Sequence, residues 1–226
     1  PAASRGGTVA GVLRDGDWNI AQKWLGDNGL CNNPDERTWD PDCLNWVNAA
    51  SYVDAAEKYV AGWCETRPEV RNGRRTGESR RVCVDAIVTW TPGDVMAVKD
   101  RSSVNYKGSR EKVQKIVSTK EYSYMMPHIL FGNEDWLNSH RAYVKTLLRC
   151  IARSNEQIKT DEAYFRDRVA ALNALVFNME GKGPTFWHTY FNGRVEDGVP
   201  LGGSRVNNIA EVRHLFGLDG NQGLER

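Results

Sequence analysis

The segment VCVDAIVTWTPGD, residues 82–94, decides the fold of this chain. Its apolar run VDAIVTW (84–90) has the length and composition of a strand that is covered on both faces. Pro92 and Gly93 follow as turn residues, and Asp94 is suited to cap a helix. The segment therefore predicts a buried strand whose carboxyl end leads directly into a turn and a helix.

The preceding part of the chain alternates strands and helices in the same way. TVAGVL (8–13) has strand length, and a turn at 14–16 leads to Asp17, which we expect to cap a helix with regularly spaced apolar residues. ERTWD (36–40) fits a brief strand, and SYVDAAEKYVAGW (51–63) places its apolar side chains on one helical face. This alternation predicts an α/β fold with a parallel sheet flanked by helices.

A polar hairpin interrupts this alternation. Cys64 and Cys83 flank a polar stretch that has Asn72 and Gly73 at its middle, and Asn-Gly is the strongest short signal for a hairpin. A hairpin over 64–83 brings its two ends together. We therefore expect a disulfide between Cys64 and Cys83.

The other cysteines are assigned by their surroundings. Cys31 and Cys43 flank a second turn-rich stretch and are expected to pair likewise, whereas Cys150 lies in an amphipathic helix and is expected to be a buried free thiol. Two disulfides would indicate an oxidising compartment, the periplasm or the cell exterior. Five reduced, buried cysteines are the alternative interpretation.

Composition argues against several classes of function. The 226 residues include 30 basic and 29 acidic ones, and the net charge of +1 gives no overall field that would attract nucleic acid or an anionic membrane. No apolar run approaches the roughly 20 residues that span a bilayer. The arginines of the hairpin are interleaved with glutamates and lack aromatic residues that could stack on bases, so we interpret them as a solvated face.

The sequence also lacks the usual signs of catalysis. It contains no G-x-S-x-G, H-E-x-x-H, Walker A or G-x-G-x-x-G motif, no C-x-x-C pair, and only four scattered histidines. Asp15, Asp17 and Asp94 could approach one another as paired carboxylates do in glycosidases, but turn and capping roles account for them better. We therefore predict a protein that is not an enzyme and that needs no metal or cofactor.

The strand ends are the candidate binding site. Ligands of open parallel sheets lie outside the carboxyl ends of the strands, where helix N-termini present N–H groups to anions. Two loops meet this description, and their residues are the predicted ligand contacts: Asp15, Asp17, Trp18 and Asn19 in the first, and Trp90, Thr91, Pro92, Gly93 and Asp94 in the second. We expect both loops at one edge, with Trp90 as a stacking wall.

Three quoted stretches resemble a known family: GTVAGVLRDGDWNIAQKWLGDNGL (7–30), VDAIVTWTPGDVMAV (84–98) and IVSTKEYSYMMPHILFGNEDWLNSHRAYVKTLL (116–148). They are similar to the second lobe and the return crossover of type II periplasmic substrate-binding proteins, in the nitrate, taurine and aliphatic-sulfonate branch. Similar domains occur in larger envelope proteins that carry an outer-membrane-protein-A-like module. In this family a strand that ends in Trp-x-Pro carries ligand contacts, which implies a binding role for Trp90 and Pro92. The resemblance also places Tyr124 on the hinge side of the cleft.

The resemblance implies a domain organisation. It assigns 7–118 to a second α/β lobe with the hairpin as an insertion, and 119–226 to the interlobe crossover and the helical part of a first lobe. The first half of that lobe has no counterpart here, so the resemblance implies that a longer polypeptide or another chain completes it.

The implied function is that of an extracytoplasmic solute-binding domain, as used by ABC transporters. It would capture a small anionic ligand between two lobes by lobe closure. The alternative is a structural or assembly protein that keeps this scaffold without a ligand and needs a partner chain.

Overall fold

The computed structural model describes residues 4–99, 113–122, 130–203 and 205–220. In chain order these residues form β1 (Thr8–Gly11), α1 (Gly16–Asp27), β2 (Cys31–Asn32), β3 (Cys43–Asn48), α2 (Tyr52–Val60), β4 (Cys64–Arg71), β5 (Arg74–Cys83), β6 (Ala86–Ile87), α3 (Gly93–Lys99), α4 (Glu134–Ser139), α5 (Arg141–Thr160), α6 (Glu162–Phe177), α7 (Pro184–Asn192), β7 (Arg194–Glu196), β8 (Val199–Leu201) and α8 (Ile209–Leu215). The chain divides into two compact units. Unit 1 comprises 1–127 and 195–201, and unit 2 comprises 128–194 and 202–226.

Unit 1 is built on a four-stranded parallel sheet in the order β2-β3-β1-β6. In the central strand β1, Val9 pairs with Trp46 of β3 on one side and with Ala86 of β6 on the other. The prediction of an α/β fold with a parallel sheet flanked by helices is confirmed at this level.

Helices cover both faces of the sheet because successive side chains of each strand point to opposite faces. On one face Val9 and Trp46 pack against Leu25 of α1. On the other face Ala10 packs in a cluster that contains Ala55 of α2, together with residues of α3. The two clusters form the core of unit 1.

Two predicted strands differ from those observed. Residues 36–40 form no strand: a turn, in which the Thr38 amide donates to the Asp35 carbonyl at 3.1 Å, leads to an isolated bridge between Trp39 and Glu69. The strand is instead CLNWVN, β3. β3 was not predicted because the polar residue Asn45 interrupts its apolar pattern. Asn45 is nevertheless fully buried, and its side chain bonds the backbone of Asp40. The strand expected over 84–90 is paired as a strand only at Ala86–Ile87.

The predicted hairpin is confirmed. β4 and β5 pair antiparallel, and both Asn72 (φ 50°) and Gly73 (φ 73°) are left-handed, as a two-residue hairpin turn requires. Cys64 and Cys83 lie opposite each other and form a disulfide.

The second predicted disulfide, Cys31–Cys43, joins the paired strands β2 and β3. Together the two bridges indicate an oxidising environment outside the cytosol. Cys150 is free, but the prediction that it is buried is wrong: it is exposed on α5, a helix in which no residue is buried.

The described part of unit 2 consists of the helices α4 to α8, as expected for a mainly helical C-terminal part. Its best-packed region joins α6 and α7, where Phe177 stacks on Trp187 with ring centroids 5.3 Å apart. α5 contrasts with this region, because Tyr143, Leu147 and Leu148 on its apolar stripe remain exposed.

Sequence reasoning missed the hairpin of β7 and β8. Its turn is Asp197-Gly198, and both residues are left-handed (φ 49° and 81°). Asp-Gly between short strands is a hairpin signal, so the sequence did contain the information. Among the described residues, no helix is both long and apolar enough to cross a bilayer.

Candidate functional site at the carboxyl edge of the sheet

The chain reverses direction across the sheet between β1 and β3. β1 is followed by α1 on one face, whereas β3 is followed by α2 on the other. The gap outside the carboxyl ends of two such strands is the usual ligand site of an open parallel sheet. The elements that follow β1, β3 and β6 therefore define the candidate site.

Asp15 begins the first of these loops. It is the N-cap of α1, and its carboxylate accepts a hydrogen bond from the Gly16 amide at 2.7 Å. The expectation that Asp17 is the cap is thus wrong by two residues. Asp15 also accepts from the Tyr52 hydroxyl at 2.5 Å. The bond from Tyr52, and then that from Gly16, hold the pKa of Asp15 below its usual range.

Tyr52 is the residue that joins the site, and sequence reasoning missed it. It is the first residue of α2, directly after its cap Ser51, and its ring centroid lies 4.2 Å from that of Trp90. The Thr89 hydroxyl donates to the Tyr52 carbonyl at 3.0 Å. Burial, followed by the bond to Asp15, raises the pKa of Tyr52, so its hydroxyl remains a donor at neutral pH. The residue thereby links the ends of β1, β3 and β6.

Asp17 differs from Asp15 although it lies in the same loop. It is only 8% exposed, and its Oδ2 has no hydrogen-bond partner within the described part of the chain. Burial, and secondarily the charge of Asp15, raise the pKa of Asp17 to about 6. The loop thus holds one carboxylate that stays ionised and one that takes up a proton in mildly acidic solution.

The other predicted residues of the first loop point in different directions. Trp18 turns into the core, where its ring meets that of Trp46 edge-on at 6.1 Å. Asn19 is exposed, and its amide bonds the Asp15 carbonyl at 3.3 Å as part of the helix.

The second loop packs closely around its turn. The Asp94 carboxylate accepts from the Thr91 hydroxyl at 3.0 Å and from the Val95 amide at 2.8 Å. Pro92 and Gly93 are buried, whereas Trp90 is 50% exposed beside Tyr52.

The helix starts therefore offer few free amides. Carboxylates of the chain itself already bond the amides of Gly16 and Val95, and the Asp94 amide bonds the Trp90 carbonyl at 3.2 Å. The two loops do share one edge, but the amides of Gly16, Asp94 and Val95 at their helix starts already have partners within the chain. Of the predicted contacts, Tyr124 lies outside the described residues.

A shallow groove adjoins this edge. It has a volume of about 490 Å³ and is lined by Arg14, at the end of β1, and by residues 34–37, which follow β2. Arg14 lies 3.8 Å from Glu36 and its side chain is 70% exposed, while Arg37 pairs with Asp35 at 3.0 Å. Two guanidinium groups thus stand beside the edge, where the sequence pattern drew attention only to the aspartates.

The described residues contain no cluster of histidine, cysteine or carboxylate side chains that could hold a metal ion. The structure thus defines an α/β domain with helices on both faces of a parallel sheet and a polar edge at its switch point. No family model matches the chain, and neither a curated protein nor a solved structure matches it.

Proposed function

We propose that unit 1 is a solute-binding domain of the type II periplasmic-binding class, and that its ligand binds at the carboxyl edge of the sheet. One observation carries the proposal: the Tyr52 hydroxyl donates to Asp15 at 2.5 Å and the Tyr52 ring contacts that of Trp90 with centroids 4.2 Å apart, so both predicted loops lie beside the switch point. The two disulfides are compatible with a periplasmic or extracellular location.

The charges at the edge favour a particular ligand chemistry. The Asp15 carboxylate accepts hydrogen bonds and Asp17 Oδ2 is an acceptor without a partner among the described residues, which suits an ammonium or hydroxyl group on the ligand. An acidic group on the ligand needs donors, and Arg14 and Arg37 can supply them because their guanidinium groups are exposed as well as paired with carboxylates. We therefore propose a small oxyanionic solute that also carries a hydrogen-bond donor. Binding needs no covalent step.

Paired ligands test this proposal by calorimetry. 2-Aminoethanesulfonate and ethanesulfonate share the sulfonate and differ in the amine, so the first is expected to bind at least tenfold more tightly. Asp15→Asn should remove most of that difference, whereas Arg14→Gln should weaken both ligands. Lys145→Gln, on exposed α5, is the matched control. Absence of heat with these ligands, simple oxyanions and polyols would refute the proposal.

The exposed stripe of α5 favours a second candidate, a structural or assembly protein. Tyr143, Leu147 and Leu148 are 75%, 55% and 48% exposed, which is a large apolar stripe for one helix of a monomer. This role predicts self-association or a stable partner that covers α5. Light scattering over a hundredfold range of concentration tests self-association, and Leu147→Glu should abolish it. A strict monomer that binds solute would favour the first candidate.

A further inference from the structure

Strand β5 carries a concentrated positive charge. Its ten residues, RRTGESRRVC, include four arginines and one glutamate and so have a net charge of +3, whereas the whole chain has only +1. We call Arg74, Arg75, Arg80 and Arg81 the β5 arginines. Their local field differs from that of the molecule as a whole, so the overall charge does not decide what this surface attracts.

The β5 arginines are exposed and form no ion pair with a carboxylate in the described part of the chain. The carboxylates of β4 form ion pairs with the arginines of β4 itself: Glu65 pairs with Arg67 at 2.5 Å and Glu69 pairs with Arg71 at 2.9 Å. Arg80 instead lies over the Trp39 ring, 4.6 Å from its centroid. Besides the hydrogen bonds from Arg37, the charge of Arg75 also helps to lower the pKa of Asp35, but all four guanidinium groups are exposed, so a partner can reach them.

The backbone edge of β5 is unsuited to a partner strand. The outer edge of β4 is covered by Trp39, whose amide and carbonyl bond Pro68 and Val70 at 3.0 and 2.9 Å. β5 pairs with no other described strand on its outer side, but its register breaks between the pairs Pro68–Ser79 and Val70–Arg75. A bulge flanked by charges disrupts the ladder that an added strand would need. Recognition must therefore use the side chains.

The side chains point to one kind of partner. Residues 74–81 contain no apolar side chain, whereas protein interfaces usually have an apolar centre. These residues also contain no aromatic ring that could stack on a nucleic-acid base. All cations of the hairpin are arginines, whose planar forks bind phosphate through two parallel hydrogen bonds. A membrane of anionic phospholipids displays many phosphates side by side, so several β5 arginines can bind such a surface at the same time.

We propose that the β5 arginines dock the hairpin on a membrane surface rich in anionic phospholipid headgroups. The guanidinium groups bind headgroup phosphates, and nothing enters the hydrocarbon because this part of the ribbon has no apolar side chain. Such docking is peripheral, reversible and sensitive to salt, because exposed charges are screened beyond about 8 Å at physiological ionic strength.

The test is co-sedimentation of the full chain with vesicles. The probes are vesicles of 30% phosphatidylglycerol in phosphatidylcholine and vesicles of phosphatidylcholine alone. Binding is expected only to the anionic vesicles, with a loss of about tenfold or more between 50 and 500 mM NaCl. Replacing all four β5 arginines with glutamine should lower the association constant on the order of a hundredfold, whereas replacing them with lysine should cause a smaller loss, because lysine keeps the charge but not the paired hydrogen bonds.

A second fourfold variant controls for net charge. Replacing Lys120, Lys145, Arg149 and Arg153 with glutamine removes the same charge from exposed positions outside the hairpin. If this control loses binding and the β5 variant keeps it, the membrane surface lies outside the hairpin and the proposal fails. Binding to a polyglutamate peptide or to DNA with none to vesicles also overturns it. Far-UV circular dichroism shows whether each variant is folded, and the lysine variant keeps the charge. Together they separate loss of charge from loss of fold.

Discussion

Replacing Asp17 with Asn tests the electrostatics of the candidate site. The pKa of this buried carboxyl rises from an ordinary 3.8 to about 6, and each pKa unit corresponds to about 1.4 kcal/mol. Ionising Asp17 in the folded chain therefore costs on the order of 3 kcal/mol. Between pH 4 and 6 the folded chain binds more protons than the unfolded chain, so the contribution of this residue to stability falls as the pH rises through that window.

The assay is urea denaturation at pH 4, 5, 6, 7 and 8, followed by tryptophan fluorescence. Asp17→Asn should gain about 3 kcal/mol relative to the wild type between pH 4 and pH 7, with no further change above pH 7. The pH dependence of the difference in unfolding free energy is the decisive quantity. Its absolute value is less informative, because the asparagine amide adds a buried donor and so changes stability at every pH. Asp15→Asn is the matched control: because the pKa of Asp15 is lowered from 3.8, the titration of Asp15 itself affects stability mainly below about pH 4, so this variant should lack the gain of about 3 kcal/mol between pH 4 and pH 7. Identical pH profiles for the wild type and the Asp17 variant would refute the reasoning.

Four other predictions concern stability. Tyr52→Phe removes the donor to Asp15 and is expected to cost about 1 kcal/mol in urea denaturation; an unchanged midpoint would contradict the hydrogen bond. Gly93→Ala places a Cβ 2.2 Å from the Thr89 hydroxyl and should destabilise by about 1–3 kcal/mol. In Gly26→Ala the new Cβ meets nothing within 4 Å in helix α1, so this variant should be more stable by about 0.5–1 kcal/mol. Equal effects of Gly93→Ala and Gly26→Ala on the free energy of unfolding would contradict the close packing at Gly93. Opening the disulfide that closes the β4–β5 hairpin should lower unfolding free energy by about 3 kcal/mol, measured against a serine variant of the free cysteine.

The sequence predicted the parts of the fold that depend on local patterns. The helix that begins after Ser51, the Asn72-Gly73 turn and both disulfides follow from capping, turn chemistry and cysteine placement. β3 was not predicted because the buried Asn45 interrupts its apolar pattern. Its amide is satisfied by contacts with Asp40 that only the folded chain supplies. Local signals therefore gave the elements, and a tertiary hydrogen-bond network decided where one strand lies.

The candidate site was predicted in part for a similar reason. That parallel strands end at one edge follows from topology alone, so the two loops could be assigned to a common edge. Tyr52 carries no motif, and its role arises because α2 starts at the switch point between Asp15 and Trp90. Trp18 shows the converse, since its position in the loop resembles that of a ligand contact but its ring packs on Trp46.

The position of the two loops and their chemistry favour different ligand charges. A helix N-terminus attracts anions only while its first amides are free, and an aspartate at the start of the helix supplies an internal anion that occupies them. Asp15 bonds the amide of Gly16, and Asp94 bonds that of Val95, so each helix start already carries a carboxylate of the chain itself. A ligand at this edge therefore meets the carboxylates of the first loop and the exposed guanidinium of Arg14. A solute that binds here must therefore satisfy acceptors as well as donors, and a bare oxyanion satisfies only the donors.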